Sequence, residues 1–202
     1  MAEFTELLKA LPALIWTAVA VVILWQMRPE LRSLFGRLDS FEGFGLKMSL
    51  KALAAAVEEK KVIAPESAGD VAIVKARLAK EAQRLAGAVI LWVDDRPSGN
   101  RNEADMLSAL GVRFIFAAST AEANDLLASR PERFDLILSD WSRPEGKEAG
   151  PDFLRDLRQR GVRTPMIFYV GTKRDLPAGA QGLTTRPGEL AALVLDSLKF
   201  RG

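Results

Sequence analysis

Beyond Gly87 the chain predicts an α/β fold, a five-stranded parallel sheet wound on both faces by helices, and three observations carry that expectation. Val89-Ile90-Leu91-Trp92-Val93 and Phe134-Asp135-Leu136-Ile137-Leu138-Ser139 have the near-continuous apolar character of central parallel strands covered on both sides. Each run stops on carboxylates, Asp94-Asp95 in the first case and Asp140 in the second. Finally, short apolar runs alternate with helical patterns to the end of the chain, the signature of repeated βα units with right-handed crossovers.

Strand one is Val89–Val93, and the helix after it runs from about Asn102 to Leu110, ending at Gly111. Strand two is Val112–Phe116. The next helix starts near Thr120, capped by Ser119 or Thr120, and runs through Leu126 and Leu127. Strand three is Leu136–Ser139, and a third helix, Pro151 to Arg160, ends at Gly161. Strand four is Met166–Val170, strand five Leu183–Thr185, and the last helix Glu189 to Phe200. Between strands four and five only Gly171 to Gly182 remain, broken by Pro177, Gly179 and Gly182, so a helix there is one turn or absent.

Ligands of such sheets gather at the carboxyl ends of neighbouring strands. Asp94, Asp95 and Asp140 delivered there make a hard-oxygen site suited to Mg²⁺; the competing reading is a set of solvated strand caps. Composition narrows the chemistry further. The chain has no cysteine, which excludes disulfides, thiol nucleophiles and thiolate metal sites, and no histidine, which removes the usual neutral-pH proton shuttle. Any metal must be held by oxygen. A net charge of +2, with basic and acidic residues interspersed, argues against a nucleic-acid partner.

From Leu11 to Met27 no residue is charged. As a helix this spans roughly 25 Å, slightly short of a ~30 Å hydrocarbon core, and Leu7 and Leu8 extend it if Lys9 snorkels. Trp25 sits near one end, as an interfacial indole should, while Trp16 lies deeper, and Pro12 falls in the opening turn. Glu3, Glu6 and Lys9 precede the stretch and Arg28, Arg32 and Arg37 follow it. The positive-inside rule then predicts a single-pass anchor in the inner (plasma) membrane, N-terminus outside and the remainder cytoplasmic. A cleaved signal peptide and a buried soluble helix are the alternatives; the first wants a basic start and the second a polar face.

The expected organisation is an anchor over 1–28, a juxtamembrane linker over 29–86 and the α/β domain over 87–202. Within the linker, Phe44 to Lys51 alternates apolar and polar, which predicts a half-buried strand, followed by a short alanine-rich helix from Lys51 to Lys61. Pro65 and Gly69 punctuate it. Asp70 then caps a helix to about Leu85, whose Val71, Val74, Leu78 and Leu85 fall on heptad-like positions interrupted by Glu81. That stripe serves either self-association through residues 44–86 or packing on the chain's own domain.

Residues 88–200 resemble the receiver (CheY-like) domain of two-component response regulators, which has a flavodoxin-like fold. Val93-Asp94-Asp95 resembles the family's acidic pair, Asp140 its phosphoacceptor, Pro144 the proline four residues on, and Gly150…Phe153-Leu154 its helix start. The resemblance implies phosphorylation on Asp140, with Mg²⁺ held by Asp94, Asp95, Asp140 and the backbone carbonyl of Ser142. The switching half departs from the pattern. Val170 and Gly171 stand where a Thr or Ser is expected, leaving Thr172 as the hydroxyl candidate, and Arg186 before Pro187 replaces the family's Lys. The shortened stretch after strand four remodels the face that transmits the family's signal.

The expectation is therefore a membrane-anchored cytoplasmic receiver-like signalling module, not a turnover enzyme. It is phosphorylated on Asp140 by a kinase or other phosphodonor, or it acts as a phosphorylation-independent interaction domain. Two rival classes stand beside it. One is a hydrolase of nucleotide or glycosidic bonds with Glu122, Glu145 or Glu148 as general acid/base; the other is a structural subunit of a membrane complex.

Overall fold

The computed structural model describes residues 28–60, 65–129 and 134–198, with side chains from 43 onward. The uncharged stretch containing Leu11, Trp16 and Trp25 lies outside the described residues; among those described, no helix is long and apolar enough to cross a membrane. The chain divides into one unit over 1–43 and a second over 44–202, and the second carries the sheet.

Helix α1 covers Arg28–Lys60 and α2 covers Ala68–Glu81, continued by a 3-10 turn at Ala82–Arg84. Then follow β1 (Val89–Val93), a 3-10 turn (Pro97–Asn100), α3 (Arg101–Ser108), β2 (Arg113–Ala117) and α4 (Thr120–Ser129). The remainder is β3 (Leu136–Ser139), α5 (Ala149–Gln159), β4 (Met166–Tyr169), β5 (Gly182–Thr184) and α6 (Pro187–Ser197). The five strands are all parallel, in the order β2-β1-β3-β4-β5. The chain thus leaves β1 for β2 on one side and returns to β3 on the other, which puts the topological switch point between β1 and β3.

Alternation along the strands feeds two cores. Ile90, Trp92, Leu136, Leu138, Ile167 and Tyr169 face α3 and α6, while Leu91, Val93, Ile137, Met166 and Phe168 face α4 and α5. Ser119 Oγ accepts the Glu122 N–H and so caps α4, and Gly111 and Gly161, at φ of 86° and 82°, close the turns after α3 and α5 as the sequence predicts. No helix forms between β4 and β5, in keeping with Pro177, Gly179 and Gly182.

The segment before the sheet differs from the sequence expectation. Phe44–Lys51 is not a strand; it lies inside α1. Its alternation is coincidental, because the residues turned inward are Leu46, Ser49, Leu50, Leu53, Ala56 and Val57, a spacing of three and four, while Phe44 and Met48 face solvent. Likewise the cap of α2 is Ser67, whose Oγ accepts the Asp70 N–H, so Asp70 sits in the first turn instead. The heptad-like Val74, Leu78 and Leu85 are buried in the sheet's own core, and α2 packs on α6, joined by Arg77 to Asp196 at 2.8 Å. The stripe that a second chain would use is spent inside the domain. Both helices therefore add to the face already covered by α3 and α6, burying Leu53, Val74 and Leu78 there.

Candidate functional site

Asp94 and Asp140 both line a cleft of about 270 Å³ at the carboxyl ends of the strands. The backbone brings them there: the Asp94 N–H donates to the Ala117 carbonyl at 2.9 Å, and the Asp140 N–H to Val93 at 3.0 Å, so each residue sits one step past its strand while still held by the neighbour. The turn Pro97–Asn100 then folds back over Asp94. Its carboxylate accepts the Arg96 N–H at 2.7 Å on one oxygen and the Asn100 amide at 2.7 Å on the other, and the residue is buried.

Asp140 has a different environment. Burial pushes its carboxyl above the ordinary carboxylate range, and the charges of Asp94 and Asp95 push it further, against the opposing pull of the Trp141 N–H and Arg143. Asp95 follows Asp94 but is not part of the cleft lining; Oδ2 faces Arg96 Nε at 3.7 Å, and Oδ1 is buried without a hydrogen-bond partner. Among the described residues no three carboxylates are gathered closely enough to hold a metal by themselves. The two carboxylates in the cleft, Asp94 and Asp140, fit the donor set of a cation that keeps most of its water and takes one or two carboxylates, which is how Mg²⁺ binds.

The remaining sequence candidates scatter. Ser142 lies in the loop between Asp140 and Arg143 and does not line the cleft. Thr172 is exposed, in the bend beyond Val170 and Gly171, which do line it. Arg186 is turned away, its guanidinium donating twice to Glu189 Oε2 at 3.1 and 2.9 Å. The glutamates considered as acid/base groups are occupied elsewhere: Glu122 accepts the Ala118 N–H, Glu145 binds Arg143 and the Thr120 N–H, and Glu148 is exposed just before α5.

Residues that sequence reasoning passed over fill the cleft instead: Lys60, Arg96, Asn100, Tyr169 and Thr185. Lys60 Nζ donates to the Gly99 carbonyl at 3.1 Å and lies 5.9 Å from the centre of the Tyr169 ring. Tyr169 in turn donates to the fully buried Glu103 at 2.6 Å, and burial followed by that carboxylate's charge holds its phenol far above the ordinary range. Asn100 was legible in principle, since an amide six residues past a terminal aspartate suits a cap; Lys60 was not, because nothing local ties it to the sheet.

Next to the cleft, Arg143 forms a separate buried cluster. It donates to Glu145 at 2.9 Å, to Thr120 Oγ1 at 2.7 Å, to Ser139 Oγ at 3.0 Å and to the Asp140 carbonyl at 3.2 Å. Gly150 packs under the same loop, where a Cβ would meet the Asp140 carbonyl at 2.5 Å and the Phe168 ring at 2.8 Å.

The chain is similar to solved receiver domains. One is the receiver domain from hybrid histidine kinase CckA, at 25% identity over 55% of this chain and 100% of that one, with a TM-score of 0.47. Another is the HemR receiver domain of Leptospira biflexa, at 21% identity over 57% and 97%, with a TM-score of 0.49. A third is a two-component response regulator from Clostridium difficile, at 20% identity over 56% and 97%, also with a TM-score of 0.49. No family model matches the chain, and no curated protein does. Its five parallel strands in the order β2-β1-β3-β4-β5 are the flavodoxin-like arrangement.

Proposed function

We propose that residues 44–202 form a receiver-type signalling module whose phosphoacceptor is Asp140. The observation that carries the reading is the pairing of Asp94 with Asp140 in one cleft at the switch point, with the Asp140 carboxyl raised by burial and by its two acidic neighbours. A carboxylate in that electrostatic position gains from a cation bound beside it.

In the reaction, an Asp140 oxygen forms a bond to the phosphorus of a phosphodonor, and the bond from phosphorus to the leaving group breaks with its electron pair departing on that group. The product is an acyl phosphate. Mg²⁺ supplies charge neutralisation between the two anions when bound, and Asp94, Asp95 and Asp140 are the residues that would hold it or its waters, with the Ser142 carbonyl as a further donor by position. Asn100 and the Arg96 N–H keep the Asp94 carboxylate oriented. The donor is a kinase or other signalling protein, and the uncharged stretch containing Leu11, Trp16 and Trp25 tethers the module to the inner membrane with the domain on the cytoplasmic side.

Incubation with acetyl phosphate and Mg²⁺, followed by intact-mass analysis, tests the assignment. The wild-type chain is expected to gain one phosphoryl group and Asp140→Asn none. Modification that persists in Asp140→Asn, or that ignores removal of Mg²⁺, would reject it.

A further inference from the structure

The cleft contains a cation that the site described so far does not use. Lys60, in the last turn of α1, reaches the cleft lined by Asp94 and Asp140. It forms no ion pair among the described residues; its hydrogen bond goes to a neutral carbonyl, that of Gly99. The other arginines close to the strand ends are already committed: Arg143 to Glu145 with its side chain fully buried, and Arg186 to Glu189. Arg96 lines the cleft but its side chain is 83% exposed and lies 3.7 Å from Asp95.

We propose that Lys60 is the residue that meets the anionic oxygens of a phosphoryl group on Asp140, so that modification of the cleft fastens the C-terminal turn of α1 to the rim of the sheet. The inference rests on Asp140 being the phosphoacceptor and adds the element that reads its state. The ammonium exchanges a neutral acceptor for a charged one, adding ion-pair attraction to a hydrogen bond that its own charge already assists. Two features confine the effect to the end of the helix. Leu53 and Ala56 are already buried against the domain, whereas Lys60 at the last turn is held by Gly99 and by the face of Tyr169. Phosphorylation therefore acts on the segment that leads from the sheet towards the N-terminus, not on the stretch between β4 and β5, where no helix exists to respond.

The test is hydrogen exchange on the full-length chain in detergent micelles, with acetyl phosphate and Mg²⁺, for wild type, Lys60→Gln and Lys60→Arg. Intact mass is measured on the same samples. Amides of residues 55–60 are expected to exchange about tenfold more slowly in the modified wild type, to respond partly in Lys60→Arg, and to show no change in Lys60→Gln that nevertheless carries the phosphoryl group. Equal protection in modified Lys60→Gln and wild type overturns the role of Lys60. A wild-type chain that gains no mass overturns the phosphoacceptor assignment first, and this inference with it; that result is visible before any variant is compared.

Discussion

Two charged clusters stand within a few residues of each other at the carboxyl rim of the sheet, and they are built in opposite ways. Around Arg143 the partners all agree: a buried guanidinium meets Glu145, two hydroxyls and a carbonyl, with the Phe153 ring 6.0 Å away. Burial alone would raise the Glu145 carboxyl, but the Thr120 N–H and Arg143 outweigh it and hold it down to about 2. Around Asp140 the groups disagree, since three carboxylates share the neighbourhood and one of their oxygens is buried without a partner. The first cluster is a structural clamp tying β3 to the start of α4. In the second, burial and the charges of Asp94 and Asp95 oppose ionisation of Asp140. Proximity to a cleft thus says little about function; the balance of partners distinguishes the two.

Variants can break this contrast, and the largest effect belongs to the clamp. Arg143→Ala strands a buried arrangement of acceptors and is expected to cost about 3 kcal/mol in urea unfolding. Gly150→Ala comes next, at about 2 kcal/mol, because its Cβ would press on the Asp140 carbonyl and the Phe168 ring, neither of which has room to yield. A loss below about 0.5 kcal/mol for Arg143→Ala would mean that the clamp is decorative.

Asp140→Asn should act in the other direction, raising stability at pH 7 by under about 1 kcal/mol. The sign follows from linkage. A carboxyl whose folded-state value is raised contributes most stability below its unfolded value near 3.8, and that contribution is lost as pH rises through the folded value. The gain of the asparagine variant should therefore fade as pH falls below about 3.8; a gain independent of pH would point to packing instead. Glu145→Gln sharpens the comparison with the opposite sign. Its carboxylate stabilises the fold above the ordinary value of 4.5, and the contribution disappears as pH falls towards 2, so variant and wild type should converge in acid and separate at neutrality. Thermal midpoints across pH 2–7 read both residues in one experiment.

Much of the domain was legible because its signals are local. Strands three to five and the breaks at Gly111 and Gly161 follow from apolar runs and turn residues, and strand ends shift by only one residue. The acidic pair and Asp140 were legible for the same reason, since a strand that stops on a carboxylate must present it at the sheet's rim. The switch candidates failed because their fate depends on neighbours a few residues off. Glu189, three residues along, takes Arg186 out of the cleft, and Thr185 lines it where Thr172 was expected.

What the sequence alone determined, then, was the parallel α/β sheet and the delivery of Asp94 and Asp140 to strand ends, because strand positions and strand ends are written in the hydrophobic pattern, whereas the order β2-β1-β3-β4-β5 is not. Only the tertiary structure decided that Phe44–Lys51 is helical and that Lys60 arrives beside those carboxylates. A period of two over eight residues fits a strand as well as a chance helix, and burial of Leu46, Leu50 and Leu53 against the sheet's own core breaks that tie. Once α1 is packed by that face, its last turn has one place to end, and the ammonium of Lys60 is carried there with it.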